Sequence, residues 1–348
     1  MPIFYGNDVW YSSIDPIVFL FFEIITMQER FNDISVLRCC AMLMIVFYHC
    51  ICPYGVWTEA SYSVDFHVPI WDVFLDLMRN IHLPIFFILA GYLYGYKRSG
   101  GGYNNFVKFI QKKFLRVIVP YILVGILIVF VQKQPVYSLL YGISHLWFLM
   151  AIFECYIAGR LIDGILKGGT KYKLLFLLFC FVLITIQGRY SINISGLTIK
   201  QFCQYFPFYA IGMILGSFNL YRHKFVRVEV VSTICSLLIM IVIAVFFKMD
   251  GLLRIFGLIF VVSIFVLFRN FPNINISAIT LSLDKCSMGI YIVHHVLIQE
   301  INRINCCYLL MKTHVISYPI ILFVVITTVS WLIVYILKKN SWGKYFVG

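Results

Sequence analysis

Polar positions interrupt this chain only at intervals. Ten stretches, at roughly 35–52, 81–96, 117–131, 145–162, 174–187, 202–218, 228–247, 252–268, 286–301 and 317–337, approach the length that crosses hydrocarbon once flanking residues are included. Runs such as Val230 to Phe247 and Ile255 to Phe268 leave almost no polar face for water. Backbone inside a bilayer must satisfy its own hydrogen bonds, which continuous apolar segments of this length do as helices. The pattern predicts an all-α fold, a polytopic transmembrane helical bundle of about ten spans.

Composition agrees: 61% of the 348 residues are apolar and 12% charged, against about half and a quarter in soluble domains. In a soluble chain a net charge of +13 would point to nucleic acid. Here the basic residues sit in the short connections, and 20 of the 28 Lys and Arg fall on one alternating set, which includes both ends. That asymmetry predicts cytoplasmic termini and implies no nucleic-acid partner. The segment "KRSGGGYNNFVKFIQKKFLR", Lys97 to Arg116, has six positive charges and no negative one, and is the surest cytoplasmic loop. Its glycines fit no phosphate-cradle spacing and are expected to form a flexible connection.

The first 26 residues carry Asp8, Asp15 and Glu23 but no Lys or Arg, and their apolar run is too short to span. Residues 1–26 are therefore expected to be an upstream extension before a start at Met27, with 27–348 forming one transmembrane domain. The eleven cysteines show no zinc-type spacing and are expected to pack as small hydrophobes, with no metal site. The pairs Cys39/Cys40 and Cys306/Cys307, and the neighbours Cys50/Cys52, have no assignment at this level.

Ionisable groups inside spans are costly and usually turn toward protein or a water-filled cavity. Arg38 and His49 are eleven residues apart in "VLRCCAMLMIVFYHC". On a helix they lie about 20° apart around the axis and about 16 Å apart along it, on one face. Taken singly, Arg38 could snorkel to headgroups and His49 could simply pack; the shared face argues against both. His82, His145, His294 and His295 fall at comparable depths, which suggests a common polar cavity. Glu154, midway along the fourth span, either pairs with Arg38 or a histidine or bonds a neighbouring helix. The outer segment Trp57 to Asn80, with Glu59, Asp65, Asp72 and Asp76, is a candidate lid over an acceptor. Its Trp57 and Trp71 are more readily explained as interfacial aromatics.

Ordered signatures now carry a resemblance. They are the Arg, ten residues, His pattern of Arg38 and His49; "LPIFFILAGYLYG" from Leu83; "KKFLRVIVPY" with Arg116 and Pro120; "HLWFLMAI" with His145 and Trp147; and "SMGIYIVHHVLI" with Tyr291 and His294. Together they resemble the acyltransferase 3 family of integral membrane O-acetyltransferases, most nearly its stand-alone members of the enterobacterial common antigen type. Two positions depart from the family pattern: Cys39 stands where glycine is usual, and Ala90 where a serine precedes Gly91.

The resemblance implies transfer of an acetyl or other short acyl group from acyl-CoA to a sugar hydroxyl of a cell-surface polysaccharide or its lipid-linked precursor. It implies His49 as base or transient acyl carrier, and Arg38 and Arg116 as holders of CoA phosphates. His145, Trp147, Glu154, Tyr291 and His294 would support the base or bind the acceptor. Acetyl-CoA would be a cosubstrate, with no permanently bound cofactor, and the protein would be a multi-pass protein of the bacterial inner membrane, among membrane lipid. No esterase-like domain is expected after the last span, so the membrane domain would complete the transfer or hand the acetyl group to a partner. The competing class is a transporter or flippase of a lipid-linked glycan or small solute.

Overall fold

The computed structural model describes residues 31–55, 64, 68–189, 197–218, 226–271 and 274–348. The expected upstream extension and Trp57 lie outside these. Among the described residues the regular elements are helical: α1 Asn32–Ile51, α2 Pro69–Arg79, α3 His82–Ser99, α4 Phe106–Lys113, α5 Val119–Gln132, α6 Trp147–Leu161, α7 Thr170–Arg189, α8 Ile199–Gly216, α9 Val226–Val242, α10 Asp250–Arg269, α11 Ala278–Asn302, α12 Asn305–Thr313, α13 Ser317–Lys339 and α14 Gly343–Val347.

Each of the ten apolar stretches is helical. Seven helical segments are long and apolar enough to cross a membrane: Asn32–Tyr54, Pro69–Ser99, Phe106–Gln132, Val136–Leu161, Val226–Phe247, Asp250–Arg269 and Ser317–Lys339. Helix α11 is not among them, because Asp284, Lys285, His294, His295 and Gln299 lower its hydropathy. Such groups belong inside a bundle rather than against lipid.

Helices α3 and α8 meet backbone to backbone. Glycines recur four apart on both, Gly91 and Gly95 against Gly212 and Gly216. A Cβ on Gly91 would lie 1.9 Å from the Tyr209 carbonyl oxygen, and one on Gly212 2.1 Å from that of Ile88. Between helices in lipid the hydrophobic effect supplies little, so close van der Waals contact through small residues takes its place. That approach explains the glycine of "LAGYLYG".

Helix α1 packs against α2, α3, α10, α11 and α13. Its first turn is tied to the end of α10, where Arg269 Nη1 donates to Asp33 Oδ2 at 2.5 Å with both side chains fully buried. The rings of Phe31 and Tyr92 lie 4.5 and 5.2 Å from that guanidinium.

The glycine-containing loop after α3, expected to be a flexible connection, is tied by hydrogen bonds to a distant anchor. Asp163, more than fifty residues on, accepts from Arg98 Nε at 2.5 Å, Arg160 Nη1 at 3.0 Å and the Tyr94 hydroxyl at 2.9 Å. Arg98 also donates to Asn104 Oδ1 at 2.8 Å, and Arg160 Nη2 to the Asn104 carbonyl at 3.2 Å. Within the loop, Gly101 and Tyr103 adopt left-handed φ values of 83° and 54°. The anchor is distant in sequence, so local composition carries no sign of it.

On the opposite side, the described part of the candidate lid is α2. Its Trp71 is buried, with the indole N–H donating to the Val315 carbonyl at 2.9 Å, so this ring anchors the helix. All eleven cysteines are free thiols and six are buried, Cys39 among them.

Candidate active site

Two parallel helices carry the site. Near the start of α1, Arg38 donates from Nε to Asp284 Oδ1 at 2.6 Å and from Nη2 to Oδ2 at 3.3 Å. Three turns deeper, His49 Nδ1 lies 2.9 Å from His294 Nε2. The spacing from Asp284 to His294 is ten residues, nearly the eleven from Arg38 to His49. The two helices therefore meet at two polar rungs about 15 Å apart.

The deeper rung has a defined proton arrangement. His294 Nδ1 lies 3.0 Å from the Ile290 carbonyl, which can only accept, so Nδ1 carries the hydrogen and neutral His294 presents a lone pair at Nε2. His49 Nδ1 then donates to that lone pair. His49 Nε2 is left as the basic nitrogen.

Two more histidines complete the cluster. The His295 ring lies 4.7 Å from that of His49 and 4.6 Å from that of His145. His145 donates from Nε2 to the Ile292 carbonyl at 3.0 Å, while the Tyr291 hydroxyl donates to the His145 carbonyl. These bonds join the start of α6 to α11. Among the described residues no group of His, Cys, Asp and Glu has the arrangement of a metal site.

A cavity of about 500 Å³ lies near the cluster. Arg38, Lys97, Lys113 and Arg116 line its basic part, with Tyr103 and Tyr156, and its walls include Phe86, Phe148 and Tyr291. Tyr291 lies 5.5 and 5.8 Å, ring to ring, from His145 and His294, so this wall residue packs against the cluster. Arg116 reaches this position on a widened turn, Phe114–Ile118, directly before α5. Pro120 follows within the same run; it has no N–H, and its ring crowds the carbonyl four residues earlier, that of Arg116, which favours such a widening. Lys113 Nζ sits 3.9 Å from the Tyr156 ring centre. Burial, reinforced by Tyr156, raises the Tyr103 phenol above its ordinary pKa, so it adds no negative charge to the mouth. Ala90, in place of the usual serine, lies on the cavity wall.

Of the residues expected from the sequence, Arg38, Arg116 and Tyr291 line the cavity, and His49, His145 and His294 form the cluster beside it. Trp147 and Glu154 stand apart. Trp147 stacks on Tyr205 at 5.7 Å. Glu154 pairs with neither Arg38 nor a histidine; its carboxylate accepts from the Thr198 hydroxyl at 2.8 Å and the Thr198 N–H at 3.2 Å, capping α8. The partner of Arg38 is Asp284, which sequence reasoning missed, although its spacing to His294 mirrors that of Arg38 to His49.

No curated protein and no solved structure matches the chain. The family model described as an acyltransferase domain, acyltransferase 3, matches residues 31–335. With that match covering most of the chain, and with Arg38 on the wall of a basic cavity and His49 in the cluster beside it, this protein belongs to the acyltransferase 3 family and is a membrane acyltransferase.

Proposed function

We propose that the protein transfers an acetyl or other short acyl group from acyl-CoA to a sugar hydroxyl of a cell-surface polysaccharide or its lipid-linked precursor. The observation that carries this reading is the cavity lined by Arg38, Lys97, Lys113 and Arg116, whose wall residue Tyr291 packs against His145 and His294 of the cluster. A donor with a polyphosphorylated head and a long neutral arm suits that polarity, since guanidinium and ammonium groups bind phosphate while the arm carries the thioester inward. In this reading the bundle has about ten spans with cytoplasmic ends in a bacterial inner membrane, and the enzyme is of the stand-alone common-antigen type. No cofactor is permanently bound.

His49 Nε2 takes the proton from the acceptor hydroxyl as its oxygen attacks the thioester carbonyl. Collapse of the tetrahedral oxyanion breaks the C–S bond, and the imidazolium returns the proton to the departing thiolate of CoA. His294 holds His49 in the tautomer this requires, while His145 and Tyr291 fix α6 against α11 around it.

The test is incubation of purified protein with radiolabelled acetyl-CoA and a crude glycan-lipid extract. Label entering glycan, and lost with His49→Ala, is the expected result. Uptake of a solute by proteoliposomes without covalent transfer would instead establish a transporter.

A further inference from the structure

Two buried carboxylates each receive an arginine across α1, and the pairs differ in one respect. In Asp33–Arg269 both side chains are 0% exposed. In Arg38–Asp284 the acid is 2% exposed and the arginine 29%, on the wall of the basic cavity. The first pair is closed and holds helices together. The second is open on the side of the cation only.

We propose that Asp284 is a positioning residue for the donor, holding the Arg38 guanidinium on the cavity wall where it meets a phosphate. This rests on the acyl-CoA reading above. Asp284 occupies Nε and Nη2 of Arg38, the edge that makes a two-bond fork, and leaves Nη1. A long cationic side chain at the inner end of a span would otherwise follow its charge out to the headgroups. Asp284 opposes that, because it belongs to α11 and lies inside the bundle. It does so on the helix that also holds His49 through His294, so the phosphate anchor and the base are both referenced to α11. The ten-residue interval on α11 sets how far apart they stand.

The experiment measures binding of radiolabelled acetyl-CoA to purified full-length protein, normalised to folded protein, for Arg38→Ala, Asp284→Asn, Asp284→Glu and the double variant Arg38→Ala/Asp284→Asn. Asp284→Asn should weaken binding about tenfold, the scale of one charge-assisted hydrogen bond. Asp284→Glu, which keeps the charge, should recover most of that loss, an outcome a packing role would not give. The double variant should bind no more weakly than Arg38→Ala alone. Binding unchanged in Asp284→Asn while Arg38→Ala is weakened, losses that add in the double variant, or no recovery with glutamate would each overturn the assignment. Unchanged binding in Arg38→Ala, or none in the unsubstituted protein, would overturn the donor reading itself.

Discussion

His49 and His294 face each other across α1 and α11 with 2.9 Å between Nδ1 and Nε2, and the Ile290 carbonyl fixes which of the four ring nitrogens carry hydrogen. Replacing His294 with alanine frees His49 to rotate and to change tautomer. The expected result is a fall in kcat of about 10- to 100-fold with donor KM changed by less than about twofold, by analogy with groups that orient a working histidine. His49→Ala should cost more, about 10²- to 10⁴-fold, because in the proposed mechanism it removes the base itself. Steady-state kinetics on both variants checks the order.

With His49 acting as a base, the acyl group passes directly from donor to acceptor. Protein incubated with labelled acetyl-CoA in the absence of acceptor should carry no label after denaturation. Stoichiometric acetylation at His49, seen by mass spectrometry, would mean instead that the histidine is an acyl carrier.

The α3–α8 contact leaves no room for a methyl group. Gly91→Ala and Gly212→Ala each place a Cβ within about 2 Å of a carbonyl oxygen, so the helices must separate. A loss of about 1–3 kcal/mol is expected for either, the usual scale of overpacking, and more where the backbone cannot yield. Thermal unfolding in detergent measures it, with Ala90→Ser on the cavity wall as a comparison expected to have a smaller effect.

Removing one member of the closed pair Asp33–Arg269 leaves an uncompensated charge inside the bundle. Arg269→Met should destabilise by about 3–5 kcal/mol, and adding Asp33→Leu should recover much of it, because breaking such a pair costs more than replacing it with apolar groups. The double-variant cycle reads this from unfolding midpoints, and donor affinity per folded molecule should not move.

Asp163 gathers Arg98, Arg160 and Tyr94 and so holds the loop at the cavity mouth. Asp163→Ala leaves two partly buried guanidinium groups without their common acceptor. Limited proteolysis should then cut within residues 100–105 faster than in the unsubstituted protein, and donor KM should rise several-fold with kcat little changed. An unchanged cleavage rate would show that the network does not restrain this loop.

Much of this molecule was legible in the chain. The helices could be placed because a bilayer demands long unbroken apolar segments, and Arg38 with His49 could be put on one face because helical periodicity is local. The cluster histidines were recognisable as polar groups at similar depths. Pairings across helices were not legible: Asp284 carried no local signal of its tie to Arg38, Glu154 could have paired with Arg38 or a histidine or bonded a neighbouring helix, and the glycines of residues 100–102 gave no sign of a distant aspartate anchoring the segment. His295 was visible as a histidine at the right depth but not as the ring that packs between His49 and His145.

The all-helical class, the apolar segments and the face shared by Arg38 and His49 follow from the chain alone, since each depends on spacing along one helix. Tertiary packing alone brings α1 and α11 together at two rungs, has Glu154 cap α8, and gathers the basic residues around one cavity beside the histidine cluster. Those outcomes depend on which helix faces reach van der Waals contact. That is set by close approaches such as Gly91 against Tyr209 and by bonds between residues hundreds of positions apart, neither of which leaves a local periodic signal.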